Sequence, residues 1–238
     1  MNVVDKLYGK VHINKEFIRN CTILRIGSSI VGESLLKVGA ILGQKAAKDK
    51  EIPWLVKKGT KEMKAYYLKA VFDDESSVYK NKNKNNGYLV LSRYRHLKDL
   101  TRKQEKELKR VESFMSVGKF PTGHIRKTIP IKRSFKFIED KDLIEKLRRP
   151  PKLLQGESKL LNEFEINHRL FGRCLTKTHK GKYSICFDLF INQKDSLTKF
   201  YKYIGYSLVR KQKKLISLVG GTDANKTLQH INKEERDI

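Results

Sequence analysis

Cysteine and long apolar runs are both scarce in this sequence. The three cysteines, Cys21, Cys174 and Cys186, are odd in number and show no CxxC spacing. This pattern argues against a disulfide framework and favours core thiols in a reducing compartment over a metal site. No apolar run is long enough to span a bilayer, and the first residues lack the apolar core of a signal peptide. We therefore expect an intracellular protein, cytoplasmic in a prokaryote or inside an organelle, with no membrane partner.

Acidic residues are scarce relative to basic ones. Lys and Arg number 52 against 26 Asp and Glu, so the 238-residue chain carries a formal net charge of +26. Such a surplus opposes compaction by self-repulsion and usually indicates a polyanionic partner. Nucleic acid is the first candidate. An anionic membrane surface comes second, and the lack of an apolar run that could span a bilayer argues against it. The length allows one elongated domain or two small ones.

An apolar segment that ends in three acids organises the chain. Its apolar positions recur at helical spacing from residue 61 onward and are Met63, Tyr66, Tyr67, Ala70 and Val71. Asp73, Asp74 and Glu75 follow directly. A helix C-terminus carries partial negative charge, so three carboxylates there require a nearby cation. The segment alone leaves two interpretations open, a solvated acidic loop after a core helix and a functional acidic cluster.

The nine residues Leu68 to Ser76 resemble the LAGLIDADG motif of the homing-endonuclease superfamily. In that family two such helices pack side by side, and the acids at their ends hold divalent metals over the scissile phosphates. The resemblance implies that Glu75 and Asp73 bind Mg²⁺ or Mn²⁺ and act in catalysis. It also implies that Ala70 and Tyr66 lie in a helix–helix interface.

Two further blocks resemble the same family. Lys50-Glu51-Ile52-Pro53 is similar to the Lys-Ile-Pro block that precedes the second motif helix, and it implies that Lys50 stabilises the cleaved phosphate. The segment 200–206, followed by Lys211, is similar to the block that closes the second repeat. It implies that Lys211 assists the metal-bound water. From the residues alone, both blocks are compatible with solvated lysines, and the second predicts a helix that ends at Gly205 with a basic tail.

The resemblance implies an α/β (α+β) fold with the αββαββα repeat of these nucleases. A twisted antiparallel sheet would face DNA, with helices behind it. The expected divisions are a partial first repeat at 1–59, a second repeat at 60–219 with a basic insertion near 92–150, and a polar tail at 220–238. Only one motif helix is recognisable, so the chain would begin inside the first repeat. It would then pair with a second subunit or with itself through the helix at 61–75, nick one strand, or no longer cleave.

Basic residues on strands and loops are the predicted DNA contacts. Segments 169–179 and 182–191 predict a hairpin whose first strand carries Arg169, Arg173 and Lys177 in one cationic row. Such a row can lie in a major groove, where arginine and lysine pair with guanine. Residues 118–137 predict a loop or hairpin that contacts phosphates. The other predicted contacts are Arg25, Arg93, Arg126, Lys132 and Arg133.

Together these features predict a site-specific, Mg²⁺-dependent DNA endonuclease of the homing type, or a descendant with weakened cleavage. Glu75 and Asp73 would hold the metal, while Lys50 and Lys211 would offset charge on the phosphorane. A cleavage-inactive DNA-binding protein, such as a regulator or an intron maturase, is the first alternative. A structural RNA-binding protein, favoured by charge alone, is the second.

Overall fold

The computed structural model describes residues 9–18, 21–37, 39, 49–81, 86–119, 125–178 and 181–220. The predicted polar tail after residue 220 lies outside these ranges. The strands are β1 Ile13–Ile18, β2 Cys21–Ile26, β3 Ser76–Lys80, β4 Gly87–His96, β5 Ser116–Lys119, β6 Ile125–Pro130, β7 Arg169–Lys177 and β8 Tyr183–Ile191. The α-helices are α1 Ser29–Lys37, α2 Trp54–Lys58, α3 Lys61–Glu75, α4 Arg102–Glu112, α5 Ile131–Ser134, α6 Lys141–Arg148, α7 Lys152–Glu163, α8 Lys194–Tyr203 and α9 Val209–Val219. A 3₁₀ turn, Phe135–Phe137, follows α5.

A six-stranded antiparallel sheet in the order β3-β4-β8-β7-β6-β5 forms the centre of the described fold. The prediction of a mixed α/β fold with an antiparallel sheet is therefore confirmed. β1 and β2 form a separate two-stranded antiparallel hairpin. In the described ranges, no helix combines the length and the apolar character that a membrane crossing needs.

The helix α3 begins and ends as its sequence predicts. The Thr60 side chain accepts a hydrogen bond from the Met63 N–H at 3.2 Å and so caps the first turn. Leu68 and Phe72 lie one turn apart and are fully buried. The chain passes from Glu75, the last residue of α3, into β3 without an intervening loop. The acidic end of the helix is therefore fixed against one edge of the sheet.

The main core lies between the helices and one face of this sheet. Alternate residues of β4 and β8, including Leu89, Leu91, Phe187 and Leu189, are fully buried. Fully burying a side chain of this size contributes roughly 1.5–3 kcal/mol. The residues between them on the same strands point to the opposite face, which we call the open face. The helices thus cover one side of the sheet. On the open face, Tyr88 and Phe190 are half-buried, while Cys186 and Asp188 are buried.

The end of the described chain differs from the prediction. Gly205, with φ of +60°, does end α8, as predicted. The residues expected to form a basic tail instead fold into α9, whose Leu215 is fully buried. Apolar residues interleave with the lysines of this segment at helical spacing, which gives the helix a buried face.

Candidate functional site: the acidic helix tip and a cationic groove

The carboxylate of Asp73 is bound to backbone amides. It accepts hydrogen bonds from the Ser207 N–H at 3.0 and 3.2 Å and from the Leu208 N–H at 3.2 Å. These amides immediately precede α9, where unpaired N–H groups attract an anion. Both carboxylate oxygens are thereby engaged in joining α3 to α9. The structure gives Asp73 a structural position, in place of the predicted metal-binding one.

The ammonium group of Lys211 is the first of two cations at the end of α3. Its Nζ donates to the carbonyl oxygens of Phe72, Asp73 and Ser76 at 2.8, 2.5 and 2.7 Å. The residue is 8% exposed, and this burial lowers the pKa of the ammonium group. The predicted cation at the acidic tip is therefore present. It binds the helix C-terminus, however, which corrects the prediction that Lys211 acts on water in the reaction.

The guanidinium group of Arg93 is the second cation, and it lies between two carboxylates. Its Nη1 donates to Glu75, and its Nε and Nη2 donate to Glu157, the Nε contact being 3.2 Å. Burial disfavours the charged guanidinium, but the carboxylates of Glu157 and Glu75 outweigh that effect and raise the pKa of Arg93. Arg93 is only 6% exposed. It therefore positions Glu75 and does not contact DNA as predicted.

A cleft of about 170 Å³ joins Glu75 to the predicted Lys50. Asp49, Ser92 and Arg93 also line it. The Glu75 side chain is 33% exposed, so it is partly accessible to solvent. The structure thus brings together two of the four predicted catalytic residues. It adds Asp49, for which the sequence gives no signal beyond its position next to Lys50.

The fit of a divalent metal rests mainly on Glu75. In the described part of the chain, no group of three or more His, Cys, Asp or Glu side chains is placed to hold a metal ion. Mg²⁺ needs only one or two carboxylates when phosphate oxygens and water complete its shell. Glu75 fits such a role at the cleft, whereas Asp73 does not because backbone amides bind its oxygens.

A second concavity, of about 820 Å³, lies beside the first residues of β7, and we call it the cationic groove. Four basic residues line it, and none of the described lining residues is acidic: the basic ones are Lys132, Arg148, Arg169 and Arg173. Aromatic rings alternate with these cations. Arg148 lies over the Phe135 ring and Arg169 over the Phe190 ring, both at 5.3 Å from the centroid. Three predicted DNA contacts, Lys132, Arg169 and Arg173, therefore meet on one surface.

Lys177 departs from this surface because of a β-bulge. Gly172 pairs with Phe187 but Cys174 pairs with Cys186, so Arg173 is an extra residue that reverses the alternation of β7. Lys177 consequently lies on the helix side of the sheet, where its Nζ is 2.5 Å from Oε2 of Glu112 in α4. The predicted single row of Arg169, Arg173 and Lys177 is wrong in this respect.

The Glu112 carboxylate gathers three partners on the helix side of the sheet. It accepts hydrogen bonds from Lys177 at 2.5 Å, Lys127 at 2.9 Å and the Tyr183 hydroxyl at 2.9 Å. These contacts, with Lys177 first, lower the pKa of Glu112 to about 2. The cluster ties α4 to three strands. The cations that it holds are consequently paired within the protein.

The remaining predicted contacts are scattered. Arg25 is exposed on the β1–β2 hairpin and pairs with Glu16 at 3.0 Å. Arg133 is exposed on α5, next to the groove residue Lys132. Arg126 belongs to β6, but its side chain lies outside the described part of the structure.

The predicted helix interface is exposed. Ala70 and Tyr66 both lie on the uncovered face of α3, and Tyr66 is 63% exposed. The protein therefore presents an acidic tip with a small cleft, a cationic groove and an uncovered helix face. No protein-family model, no curated protein and no solved structure matches the chain.

Proposed function

We propose that the chain is a site-specific DNA endonuclease of the LAGLIDADG homing type, with divalent-metal-dependent hydrolysis at the end of α3. The order of elements supports this proposal. Apart from the segment 102–148, the chain from α3 to α9 runs helix, two strands, helix, two strands and two helices. That segment falls within the region 92–150 expected as an insertion. β3, β4, β8 and β7 are also neighbours in the sheet.

The cleft that joins Glu75 to Lys50 is the observation that carries the proposal. These residues come from two separate sequence blocks that both resemble the same nuclease family, and the fold places them in one cavity. A bound divalent metal would activate water and polarise the phosphate. Glu75 would hold that metal, and Arg93 would orient the Glu75 carboxylate. The Lys50 ammonium group would offset the charge that develops on the phosphate in the transition state.

The cationic groove supports DNA as the substrate. Each phosphate that a lysine or arginine neutralises releases condensed counterions, which adds salt-sensitive affinity. Of the four cations, Arg173 already pairs with the Asp188 carboxylate, its Nε lying 3.5 Å from Oδ2. Lys132, Arg148 and Arg169 provide this interaction along the groove. The net charge of +26 of the whole chain also favours binding to DNA.

A second copy of the chain would supply the second acidic tip that cleavage of both strands requires. The uncovered face of α3, with Tyr66 and Ala70, is suited to self-association because the small Ala70 side chain permits close helix packing. In such a pair, two Glu75 carboxylates would lie near each other at the helix ends. A single chain would instead nick one strand.

A cleavage-inactive DNA-binding protein, such as a regulator or an intron maturase, is the second candidate. The Arg93 ion pair favours it, because a cation of the protein already neutralises Glu75. The engagement of Asp73 with backbone amides favours it as well. This candidate retains the cationic groove and needs no metal.

Nicking or linearisation of a supercoiled plasmid that carries the gene's own flanking DNA separates the two candidates. We expect cleavage in Mg²⁺ by the wild-type protein and a loss of at least about 100-fold in Glu75→Gln. Glu62→Gln, which changes an exposed acid at the other end of α3, is the matched control and should cleave normally. A band shift on the same DNA without cleavage by any protein would establish the second candidate. Absence of both binding and cleavage would refute both.

A further inference from the structure

Four aromatic side chains form a continuous row across the open face of the sheet. We call Tyr79, Tyr88, Phe190 and Phe171, from β3, β4, β8 and β7, the aromatic row. The Tyr79 and Tyr88 ring centroids are 4.9 Å apart and the Tyr88 and Phe190 centroids 4.4 Å apart. The Phe190 and Phe171 centroids are 6.4 Å apart. Each ring therefore contacts the next along the row.

The two ends of the aromatic row are its most exposed members. Tyr79 is 49% exposed and Phe171 is 43% exposed, while Tyr88 and Phe190 are half-buried between them. Cross-strand contacts between aromatic rings stabilise a sheet, and this accounts for the inner pair. It does not account for two large apolar surfaces left in water at the ends. A flat apolar ligand could extend the row at either end.

The cationic groove adjoins one end of the aromatic row. Phe171 and Phe190 line that groove together with Arg169, Arg173 and Lys132. Arg169 also lies over the Phe190 ring at 5.3 Å. The surface thus brings aromatic rings and basic side chains together in one groove. A single-stranded nucleic acid has the complementary pattern, because each unpaired base lies beside a phosphate.

We propose that the aromatic row binds unpaired nucleotides of single-stranded nucleic acid. Bases would stack on the rings of Phe171 and Tyr79, and the neighbouring phosphates would contact Arg169 and Lys132. A regular duplex cannot satisfy the rings, because its bases are already stacked and paired inside the helix. This activity is separate from duplex cleavage and requires neither a metal nor Glu75. RNA and DNA share the recognised chemistry, so the test includes both.

Fluorescence anisotropy with labelled strands of about 12 nucleotides tests the proposal. The probes are single-stranded RNA, single-stranded DNA of the same sequence, and a strand of equal charge in which every base is absent. At about 0.15 M salt, we expect the wild-type protein to bind at least one base-bearing strand about tenfold more tightly than the abasic strand. Equal affinity for abasic and base-bearing strands would overturn the proposal, and this comparison needs no variant.

Phe171→Ala localises the effect to the aromatic row. We expect this variant to bind the base-bearing strand about tenfold more weakly and to bind the abasic strand as the wild type does. Phe114→Ala is the matched control, because Phe114 is also 43% exposed and stacks on Phe137, at 4.0 Å, outside the row. Circular dichroism verifies that both variants are folded. An equal loss in the two variants, or a Phe171→Ala loss that extends to the abasic strand, would contradict the proposal.

The result does not depend on the proposed endonuclease. Single-strand binding that survives in Glu75→Gln, alongside a failure of the plasmid assay, would refute only the nuclease. Cleavage of the plasmid without any preference for base-bearing strands would refute only the binding of unpaired nucleotides. If RNA binds more tightly than DNA, the 2′-hydroxyl contributes to recognition, and the aromatic row is then assigned to RNA.

Discussion

Lys211→Met removes a buried ammonium group from the end of α3 and retains most of the length of the side chain. The wild-type Nζ donates to three backbone carbonyls at distances of 2.5–2.8 Å. A hydrogen bond from a charged donor contributes about 1.5–3 kcal/mol, but the desolvation of a nearly buried ammonium group offsets much of the total. We therefore expect the free energy of unfolding to fall by about 2–4 kcal/mol.

Equilibrium unfolding in urea, followed by circular dichroism, measures this loss. Lys214→Met is the matched control, since Lys214 lies on the same helix and is exposed. We expect the control to change the free energy of unfolding by no more than about 0.5 kcal/mol. Both variants also enter the plasmid assay, so that stability and cleavage are compared in the same proteins.

One result would refute the structural role of Lys211. If Lys211→Met unfolds at the wild-type urea concentration but no longer cleaves DNA, the ammonium group acts on the reaction, as the resemblance to the nuclease family implies. A loss of stability with cleavage retained at low temperature would establish that the group stabilises the end of α3. The two roles therefore differ in which assay responds.

Two further predictions concern the ion pairs of Glu112 and of Arg93. The folded-state pKa of Glu112, about 2, lies below the ordinary value of 4.5, so its contribution to stability is present above about pH 4.5 and is lost as the pH falls towards 2. Glu112→Gln should therefore lower the free energy of unfolding by about 1–2 kcal/mol at pH 7. It should also make that free energy fall less steeply between pH 4.5 and 2, which urea unfolding at several pH values measures. A variant whose free energy of unfolding falls as steeply as that of the wild type would contradict the prediction. Arg93→Met removes the ion pair that Arg93 makes with the fully buried Glu157 and should cost about 3–5 kcal/mol. The double variant Arg93→Met with Glu157→Leu should recover most of that loss. A double variant as unstable in urea as the single one would show that the pair itself is not the cause.

The local parts of this fold were predictable from sequence. The bounds of α3 were predictable because the apolar spacing from residue 61 and the acids up to Glu75 both act within a few residues. The buried stripe was predicted only in part, since Leu68 and Phe72 are buried while Met63 and Tyr66 are exposed. The β7–β8 hairpin followed from alternation on both sides of Lys180-Gly181. The nature of the acidic tip was also predictable in outline, since the charge of the helix end demanded a cation. Which cation would serve was not predictable.

Long-range pairing explains the main errors. In the sequence, nothing distinguishes Lys211 from the neighbouring lysines. Only the packing of α9 against α3 buries it. Arg93 could have been recognised as buried, because it continues the alternation of Leu89 and Leu91 on β4. Its partner Glu157 comes from a distant helix, α7, and no local pattern indicates it. The bulge at Arg173 was not predicted, because assigning alternate residues of a strand to opposite faces assumes that the strand has no extra residue.

The bulge in β7 also bears on how this surface can change over evolutionary time. One inserted residue, Arg173, decides that Arg169 lies in the cationic groove while Lys177 lies against Glu112. Removing a single codon here would exchange the two sides of the strand beyond it without altering any other amino acid. A change in ligand preference would then arise from chain length alone, and a comparison of residue types at each position would not detect it.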